Sequence, residues 1–268
     1  EALAWLVDHV CRQLGPDWRD ASLTYPGGAR SAAVIVRAAS GARVVAKMFP
    51  RPASLLTSIV HGRYLRSRKL PVPELLSWSV HSRWAPPRRY LTLESYVPGT
   101  TLPDVPATQR PQALRRIACT LGRLHALTRR HHGWIALPRP GACARSYLRK
   151  VEERRRRLAD LAREARLADL GVLLRRAAAR IGSHPRYELI HGHVNPGNFI
   201  VAEDEAVLID LGAVRCGDAA LDLVRALHRL CKSREDAELF LASYFAERGT
   251  GAREDYARAE PSTPATTR

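Results

Sequence analysis

The sequence predicts an α+β protein with a small strand-rich N-terminal lobe and a larger, mainly helical C-terminal lobe. Short β-branched runs lie before residue 97, helical apolar spacing dominates after it, and Pro98-Gly99 breaks the chain between the two parts. At 268 residues the chain is long enough for two lobes that share a cleft. We therefore divide it into an N-lobe over residues 1–97, a C-lobe over residues 98–250 and a flexible tail over residues 251–268.

The N-lobe is predicted to contain two helices and a set of short strands. Apolar spacing predicts one helix over Ala4–Leu14 and another over residues 54–67, after which Pro71 and Pro73 prevent continuation. The predicted strands lie around Val34–Val36, Val44–Ala46, Leu75–Val80 and Tyr90–Tyr96.

The C-lobe is predicted to be helical except for one compact strand-rich segment, residues 188–211. Within that segment two apolar runs flank the acidic turn at residues 203–205, so we expect a hairpin. The predicted helices cover residues 109–128, 145–167, 170–181 and 219–247.

Polar side chains lie at the ends of both hairpin strands. His193 and Asn198 precede the first strand, and Asp210 follows the second. A hairpin brings these positions to one edge, where amide and carboxylate oxygens suit Mg²⁺ with water and phosphate filling its remaining positions. The pattern therefore predicts a site for a magnesium-bound phosphate group.

Residues 189–201, LIHGHVNPGNFIV, resemble the HGDxxxxN signature of the aminoglycoside phosphotransferase and choline kinase superfamily, a relative of the protein kinases. Other segments resemble further motifs of this superfamily, in the same order along the chain. They are the nucleotide-covering Gly27-Gly28, the lysine strand Val44–Lys47, the proline segment Leu70–Pro73, the hinge Leu93–Gly99, the helix motif Leu121–His125, the metal motif Ile209–Gly212 and the segment Gly217–Leu223. The match runs from about residue 22 to residue 230, and it implies a bilobal protein-kinase-like fold and ATP-dependent phosphoryl transfer.

The resemblance also implies a role for each matching residue. Lys47 would pair with the α- and β-phosphates of ATP, and Asn198 and Asp210 would hold Mg²⁺. His191 is expected to pack under the loop, and His125 to be a core histidine. The implied nucleotide-binding positions are Gly27, Gly28 and Ser31 over the phosphates and the backbone near Glu94, Ser95 and Tyr96 at the adenine edge.

The sequence departs from the superfamily pattern at two positions. His193 replaces the aspartate that accepts the proton of the substrate hydroxyl, and the second helix offers no glutamate near Ser58 to pair with Lys47, His61 being the nearest titratable residue. General-base catalysis contributes about 10²–10⁴-fold, whereas positioning and charge neutralisation dominate phosphoryl transfer. Histidine can itself accept a proton near neutral pH. We therefore expect an active kinase with His193 as base or substrate orienter, and a nucleotide-binding pseudokinase scaffold is the alternative.

The net charge of +17 favours a neutral or acidic hydroxyl-bearing substrate. Residues 145–180, where this superfamily usually builds its acceptor site, carry 12 Arg or Lys against 5 Asp or Glu. A polycationic aminoglycoside is therefore disfavoured, although 39 of the 43 basic residues are arginine and coding bias alone can produce such a composition.

Two acceptor classes remain open: a small-molecule hydroxyl, or Ser/Thr of a biosynthetic precursor peptide with an acidic segment. Kinases resembling this superfamily modify some ribosomally made peptides before a partner lyase eliminates the phosphate, which implies a lyase or another biosynthetic subunit as partner. Nucleic acid is disfavoured because aromatic residues make up only 6% of the chain and no readout motif occurs.

The remaining composition predicts a cytoplasmic protein with free thiols. No apolar run reaches the roughly 18 residues that a membrane helix needs, and no secretory leader is evident. The five cysteines are scattered without a CxxC pair, a pattern that suits neither a disulfide framework nor a zinc site.

Overall fold

The computed structural model describes residues 4–25, 32–80, 90–130, 133–135 and 187–249. The helices predicted over residues 145–167 and 170–181, together with their basic segment, lie outside these ranges, as do Gly27, Gly28 and Ser31. The described α-helices are α1 (Ala4–Leu14), α2 (Pro52–Ser67), α3 (Arg110–His125), α4 (Ala220–Leu230) and α5 (Arg234–Arg248).

A five-stranded antiparallel sheet with strand order β1-β2-β3-β5-β4 dominates the N-terminal part. Its strands are β1 (Ser22–Thr24), β2 (Ala32–Arg37), β3 (Arg43–Phe49), β4 (Leu75–Val80) and β5 (Tyr90–Ser95). Side chains alternate along β3, so Val44, Ala46 and Met48 pack into a buried cluster with α1. Lys47 therefore projects from the face of the sheet opposite α1.

Helix α2 connects the sheet to the C-terminal part. It begins with Pro52 in its first turn, contacts β3, β4 and β5, and places Leu65 in the core of the C-terminal part. Its end forms a Schellman motif, in which the N–H of Leu70 donates to Leu65 O at 3.1 Å and the N–H of Lys69 to Arg66 O at 2.9 Å. The motif places Lys69 at a φ of 58°, a left-handed conformation that usually belongs to glycine.

The C-terminal part builds its core on α3. Leu114, Ile117, Leu121 and Leu124 are fully buried along one side of this helix, which packs against α5. Two small sheets with the orders β10-β9-β6 and β11-β8-β7 complete the core. Their strands are β6 (Thr100–Thr101), β7 (Thr128–Arg129), β8 (Tyr187–Ile190), β9 (Phe199–Val201), β10 (Ala206–Leu208) and β11 (Arg215–Gly217).

These elements confirm the predicted α+β class. The hairpin around residues 203–205 is β9–β10, closed by a 2.9 Å hydrogen bond from the N–H of Ala202 to Glu205 O. In the described ranges, no helix combines the length and the apolar composition needed to cross a bilayer.

Two predicted helices were too long. Helix α3 ends at His125 rather than at residue 128, where β7 begins. The helix predicted over residues 219–247 is two helices, because Cys231 is extended and Ser233 caps α5 by accepting the N–H of Asp236 at 3.2 Å. This Ser-x-x-Asp pattern is a helix-start signal that the apolar periodicity obscured.

Candidate active site

The loop between β8 and β9 is held in place by Asp222 of α4. Its carboxylate accepts the N–H of His191 at 2.6 Å and the N–H of Gly192 at 3.0 Å, and it contacts Nε2 of His125 at 3.3 Å. Gly192 has a φ of 73°, and a Cβ there would lie 2.5 Å from Ala213 O. The loop therefore needs both a buried carboxylate and a glycine to keep its shape.

Asp222 is a buried, charged anchor. Burial alone would raise the pKa of its carboxyl group, but the hydrogen bond and charge of His125, with the loop N–H groups, hold the pKa below its ordinary value. His125 is also buried, and its Nδ1 lies 2.8 Å from the hydroxyl of Tyr244. The prediction that His125 is a core histidine is confirmed. Asp222 was not predicted as a site residue, although it lies in the segment Gly217–Leu223 that carries part of the resemblance.

The side chains of His193, Asn198 and Asp210 meet beside the β9–β10 hairpin. Nδ1 of His193 lies 3.1 Å from Oδ2 of Asp210, and Nδ2 of Asn198 donates to the backbone oxygen of His193 at 2.8 Å. Nδ2 of Asn198 also lies 3.3 Å from Nδ1 of His193. One nitrogen cannot donate to Asp210 and accept from Asn198 together, so the shorter contact assigns the proton to Nδ1. In the neutral ring Nε2 then carries the lone pair, and Nε2 has no hydrogen-bond partner in the described ranges.

Asp210 occupies a left-handed backbone conformation, with φ of 58° and ψ of 59°. Such a conformation is uncommon outside glycine and persists where surrounding contacts impose it. Two histidines supply these contacts, because Nε2 of His191 donates to Ile209 O at 3.0 Å and Nδ1 of His61 donates to Leu211 O at 2.8 Å. The residues on both sides of Asp210 are thus fixed from β8 and from α2.

Both clamping histidines are buried and neutral. Burial is the largest influence on each, and it lowers the pKa of His61 and of His191 below the usual value. The hydrogen bond to Leu211 and the charge of Asp222, respectively, oppose this shift without cancelling it. His191 therefore packs under the loop, as expected. The role of His61 was not predicted.

The donor atoms at this site fit a magnesium ion. Asn198 uses its amide nitrogen and Asp210 uses Oδ2, so each keeps one side-chain oxygen, Oδ1, without a hydrogen-bond partner in the described part of the chain. Two protein oxygens with open positions for water and phosphate are typical of Mg²⁺ in phosphotransferases. Across the same residues, no group of three or more His, Cys, Asp or Glu side chains could form a protein-only metal cage.

Lys47 forms an ion pair with Glu94 of β5. Its Nζ lies 2.6 Å from Oε2 of Glu94, and the side chains are only 17% and 9% exposed. Thr92 donates to the other carboxylate oxygen of Glu94 at 3.2 Å. In the strand register Lys47 faces Thr92 and Val45 faces Glu94, so Lys47 and Glu94 are diagonal neighbours on one face. Only a backbone role was predicted for Glu94, and its ion pair with Lys47 was not predicted.

The predicted adenine edge lies at the end of β5. Ser95 is the last residue of that strand, and its N–H donates to Glu74 O at 2.8 Å while its hydroxyl accepts the N–H of Glu74 at 2.8 Å. Tyr96 follows, with the guanidinium carbon of Arg43 3.9 Å from its ring centroid. The Ser95 N–H is thus engaged within the protein, and adenine binding at Glu94–Tyr96 stays a prediction.

Two arginines of α4 border the loop between β8 and β9. Arg225 donates to Gly192 O at 2.5 Å, and Arg229 donates to the side-chain oxygen of Asn195. Both acceptors are neutral, and neither guanidinium pairs with a carboxylate in the described ranges. Helix α4 therefore presents two guanidinium groups to the loop, in addition to the buried carboxylate of Asp222.

The fold and this site define the class of bilobal, protein-kinase-like phosphotransferases. A family model described as the phosphotransferase enzyme family, APH, matches residues 22–261, and the chain belongs to this family. No curated protein matches the chain significantly.

Solved structures of three phosphotransferases and kinases share the fold. The apoenzyme of macrolide 2'-phosphotransferase MphH from Brachybacterium faecium has a TM-score of 0.62 at 19% identity, over 96% of this chain and 90% of that one. APH(3'')-Id from Streptomyces rimosus, in complex with ADP and streptomycin, has a TM-score of 0.54 at 20% identity, over 96% of both chains. A putative fructosamine-3-kinase from Thermobifida fusca has a TM-score of 0.58 at 20% identity, over 93% of this chain and 87% of that one.

Proposed function

We propose that this protein transfers the γ-phosphoryl group of magnesium-bound ATP to the hydroxyl group of a neutral or acidic acceptor. The observation that carries the proposal is the meeting of His193, Asn198 and Asp210 in one cluster. Family membership supports phosphoryl transfer, and the ADP complex of the Streptomyces rimosus neighbour supports ATP as the donor.

The oxygens of Asn198 and Asp210 would hold magnesium, and Lys47 would bind the phosphates. Bound magnesium supplies neutralisation of the charge on the transferring phosphoryl group. The left-handed backbone of Asp210, clamped by His61 and His191, keeps its carboxylate in place before the substrates arrive. Such preorganisation suits a reaction whose acceleration comes mainly from positioning and electrostatics.

His193 is proposed as the general base. Asp210 holds its Nδ1–H, so the Nε2 lone pair can accept the proton of the acceptor hydroxyl, and the 38% exposed side chain can be reached by a substrate. The acceptor oxygen forms a bond to the γ-phosphorus as the bond to the leaving ADP oxygen breaks. The proton then leaves His193 to water. The carboxylate of Asp210 can orient His193 through Oδ2 and offer Oδ1 to the metal.

The acceptor class follows from charge. Arg225 and Arg229 place positive charge beside the loop between β8 and β9, and the whole chain carries +17. A polycation such as an aminoglycoside would be repelled, whereas an acidic peptide bearing Ser or Thr would be attracted and a neutral sugar admitted. If the acceptor is a peptide, the phosphorylated product would be consumed by a partner lyase, as in the biosynthetic systems that the sequence suggested.

Release of ADP from ATP, measured with Mg²⁺ and different acceptors, tests this function. We expect a hexose or an acidic Ser-containing peptide to raise ADP release above the rate with water alone, and kanamycin not to do so. For an acidic acceptor, the double variant Arg225→Gln/Arg229→Gln should raise KM about tenfold, while a neutral acceptor is affected less.

Two results would contradict the proposal. Turnover with kanamycin in preference to the other acceptors would exclude the proposed acceptor class. Tight ATP binding without ADP release under any of these conditions would instead favour a nucleotide-binding scaffold. This is the alternative suggested by His193 in place of the expected aspartate.

A further inference from the structure

Helix α2 provides no acidic partner for Lys47. Its sequence, PASLLTSIVHGRYLRS, contains neither Asp nor Glu. The ion-pair partner of Lys47 is instead Glu94, which comes from the neighbouring strand of the same sheet.

The Lys47–Glu94 pair is fixed by the sheet itself. Strands β3 and β5 pair antiparallel over six successive residue pairs, from Val44–Ser95 to Phe49–Tyr90. Glu94 is further held because Thr92, two residues earlier on the same strand, donates to its second carboxylate oxygen. A carboxylate held on a central strand has little freedom, since β4 pairs with the other edge of β5.

We propose that Glu94 is the positioning residue for Lys47, in place of the glutamate that the helix lacks. An ammonium group has three N–H donors, so a lysine bonded to Glu94 keeps donors for phosphate oxygens. The inference rests on the proposed function and names what orients its phosphate-binding lysine. Lys47 is then placed by the sheet and does not depend on a movement of α2, whose His61 serves the Asp210 loop instead.

A double-mutant cycle on KM for ATP tests whether Glu94 acts through Lys47. Glu94→Gln keeps the side-chain shape and removes the charge, and we expect it to raise KM for ATP about tenfold. Lys47→Met should have at least that effect, and the double variant should be no worse than Lys47→Met alone, because a residue that acts through Lys47 has nothing further to lose. The matched control is Glu74→Gln, which breaks a half-exposed pair with Arg66 and should change KM by less than about threefold.

Two outcomes of the cycle would overturn the proposal. Additive losses in the double variant would mean that Glu94 acts independently of Lys47. A lower KM for ATP in Glu94→Gln would mean that Glu94 competes with the phosphates for the lysine. Circular dichroism shows whether Glu94→Gln is folded. The double variant removes both buried charges and so leaves no unpaired charge that could destabilise the fold.

A second readout needs no nucleotide. Acylation of lysines by a succinimidyl ester, followed by mass spectrometry, reports each amine separately, and Lys69 and Lys232 serve as internal standards. We expect Lys47 to react more slowly than both standards in the wild-type protein, and Glu94→Gln to raise its rate several-fold relative to them. An unchanged rate for Lys47 would overturn the pairing even if ATP binds. If the wild-type protein binds no ATP while the labelling result holds, the proposed function fails and the ion pair stands.

Discussion

His193 and Asp210 are in direct contact, with Nδ1 of the histidine 3.1 Å from Oδ2 of the aspartate. An aspartate is expected at position 193 in the signature that this chain resembles, and two carboxylates so close would repel each other. The imidazole instead donates to Asp210 and leaves Nε2 open. We therefore expect the substitution to replace one proton acceptor by another.

Removing the imidazole should slow phosphoryl transfer more than it weakens nucleotide binding. His193→Ala should lower kcat by about 10²–10⁴, while His193→Asp, which restores the expected carboxylate, should retain more activity than His193→Ala. ADP release at saturating ATP measures kcat in both variants. His228→Ala is the control, since His228 is exposed on α4. Equal kcat in His193→Ala and the wild-type protein would exclude the base role.

Replacing Asp222, which anchors the loop between β8 and β9, should lower the stability of the protein. Asp222→Asn places an amide nitrogen against N–H groups that now donate to a charged carboxylate, so we expect a loss of about 2–4 kcal/mol in the free energy of unfolding. Urea denaturation measures the loss, and Asp204→Asn in the exposed turn should change stability by less than about 0.5 kcal/mol. Equal losses in the two variants would show that Asp222 is not an anchor.

The buried histidines should make the protein less stable in mild acid. The pKa of His61 and of His191 is lower in the folded state than in the unfolded chain. As pH falls below about 6.5, the unfolded chain therefore binds protons that the native state does not bind. Stability is then full above that pH and declines below it until each folded-state pKa is passed. His61→Asn keeps a donor for Leu211 O without titrating, and should reduce the decline. Urea unfolding between pH 5 and pH 8 checks this, and parallel curves for the variant and the wild-type protein would contradict it.

The left-handed residue after α2 offers a stability gain. Lys69 occupies the position of the Schellman motif where glycine costs least, so Lys69→Gly should raise the free energy of unfolding by about 0.5–1 kcal/mol. Arg63→Gly, at an exposed position inside the same helix, should lower it by about 1 kcal/mol. Thermal unfolding of both variants shows whether each substitution raises or lowers the stability. A loss of stability in Lys69→Gly would mean that its side chain contributes more than the backbone conformation costs.

Local patterns predicted most of the described elements. Helix α1 and strand β4 have the predicted bounds, because apolar periodicity and turn residues depend only on residues close together in the sequence. The meeting of His193, Asn198 and Asp210 also followed from sequence, because one hairpin brings them together. A local cap at Ser233 was overlooked because the apolar spacing continues across it.

The contacts that sequence could not predict join distant positions. His61 and Leu211 are 150 residues apart, and nothing near either residue indicates that α2 packs on the loop that follows β10. The choice of Glu94 as partner for Lys47 depends on strand order, because β5 rather than β4 lies beside β3. Such pairings are decided by tertiary packing, which a single sequence does not display.

Calorimetric titration of the protein with a non-hydrolysable ATP analogue, with and without Mg²⁺, tests the central claim most directly. If Asn198 and Asp210 hold the metal against the phosphates, Mg²⁺ should tighten binding by about tenfold or more in the wild-type protein. Asp210→Asn, which tolerates the same left-handed backbone, should remove that gain, and Asp204→Asn should keep it. Equal affinity with and without Mg²⁺ in the wild-type protein, or a full magnesium effect in Asp210→Asn, would contradict the claim.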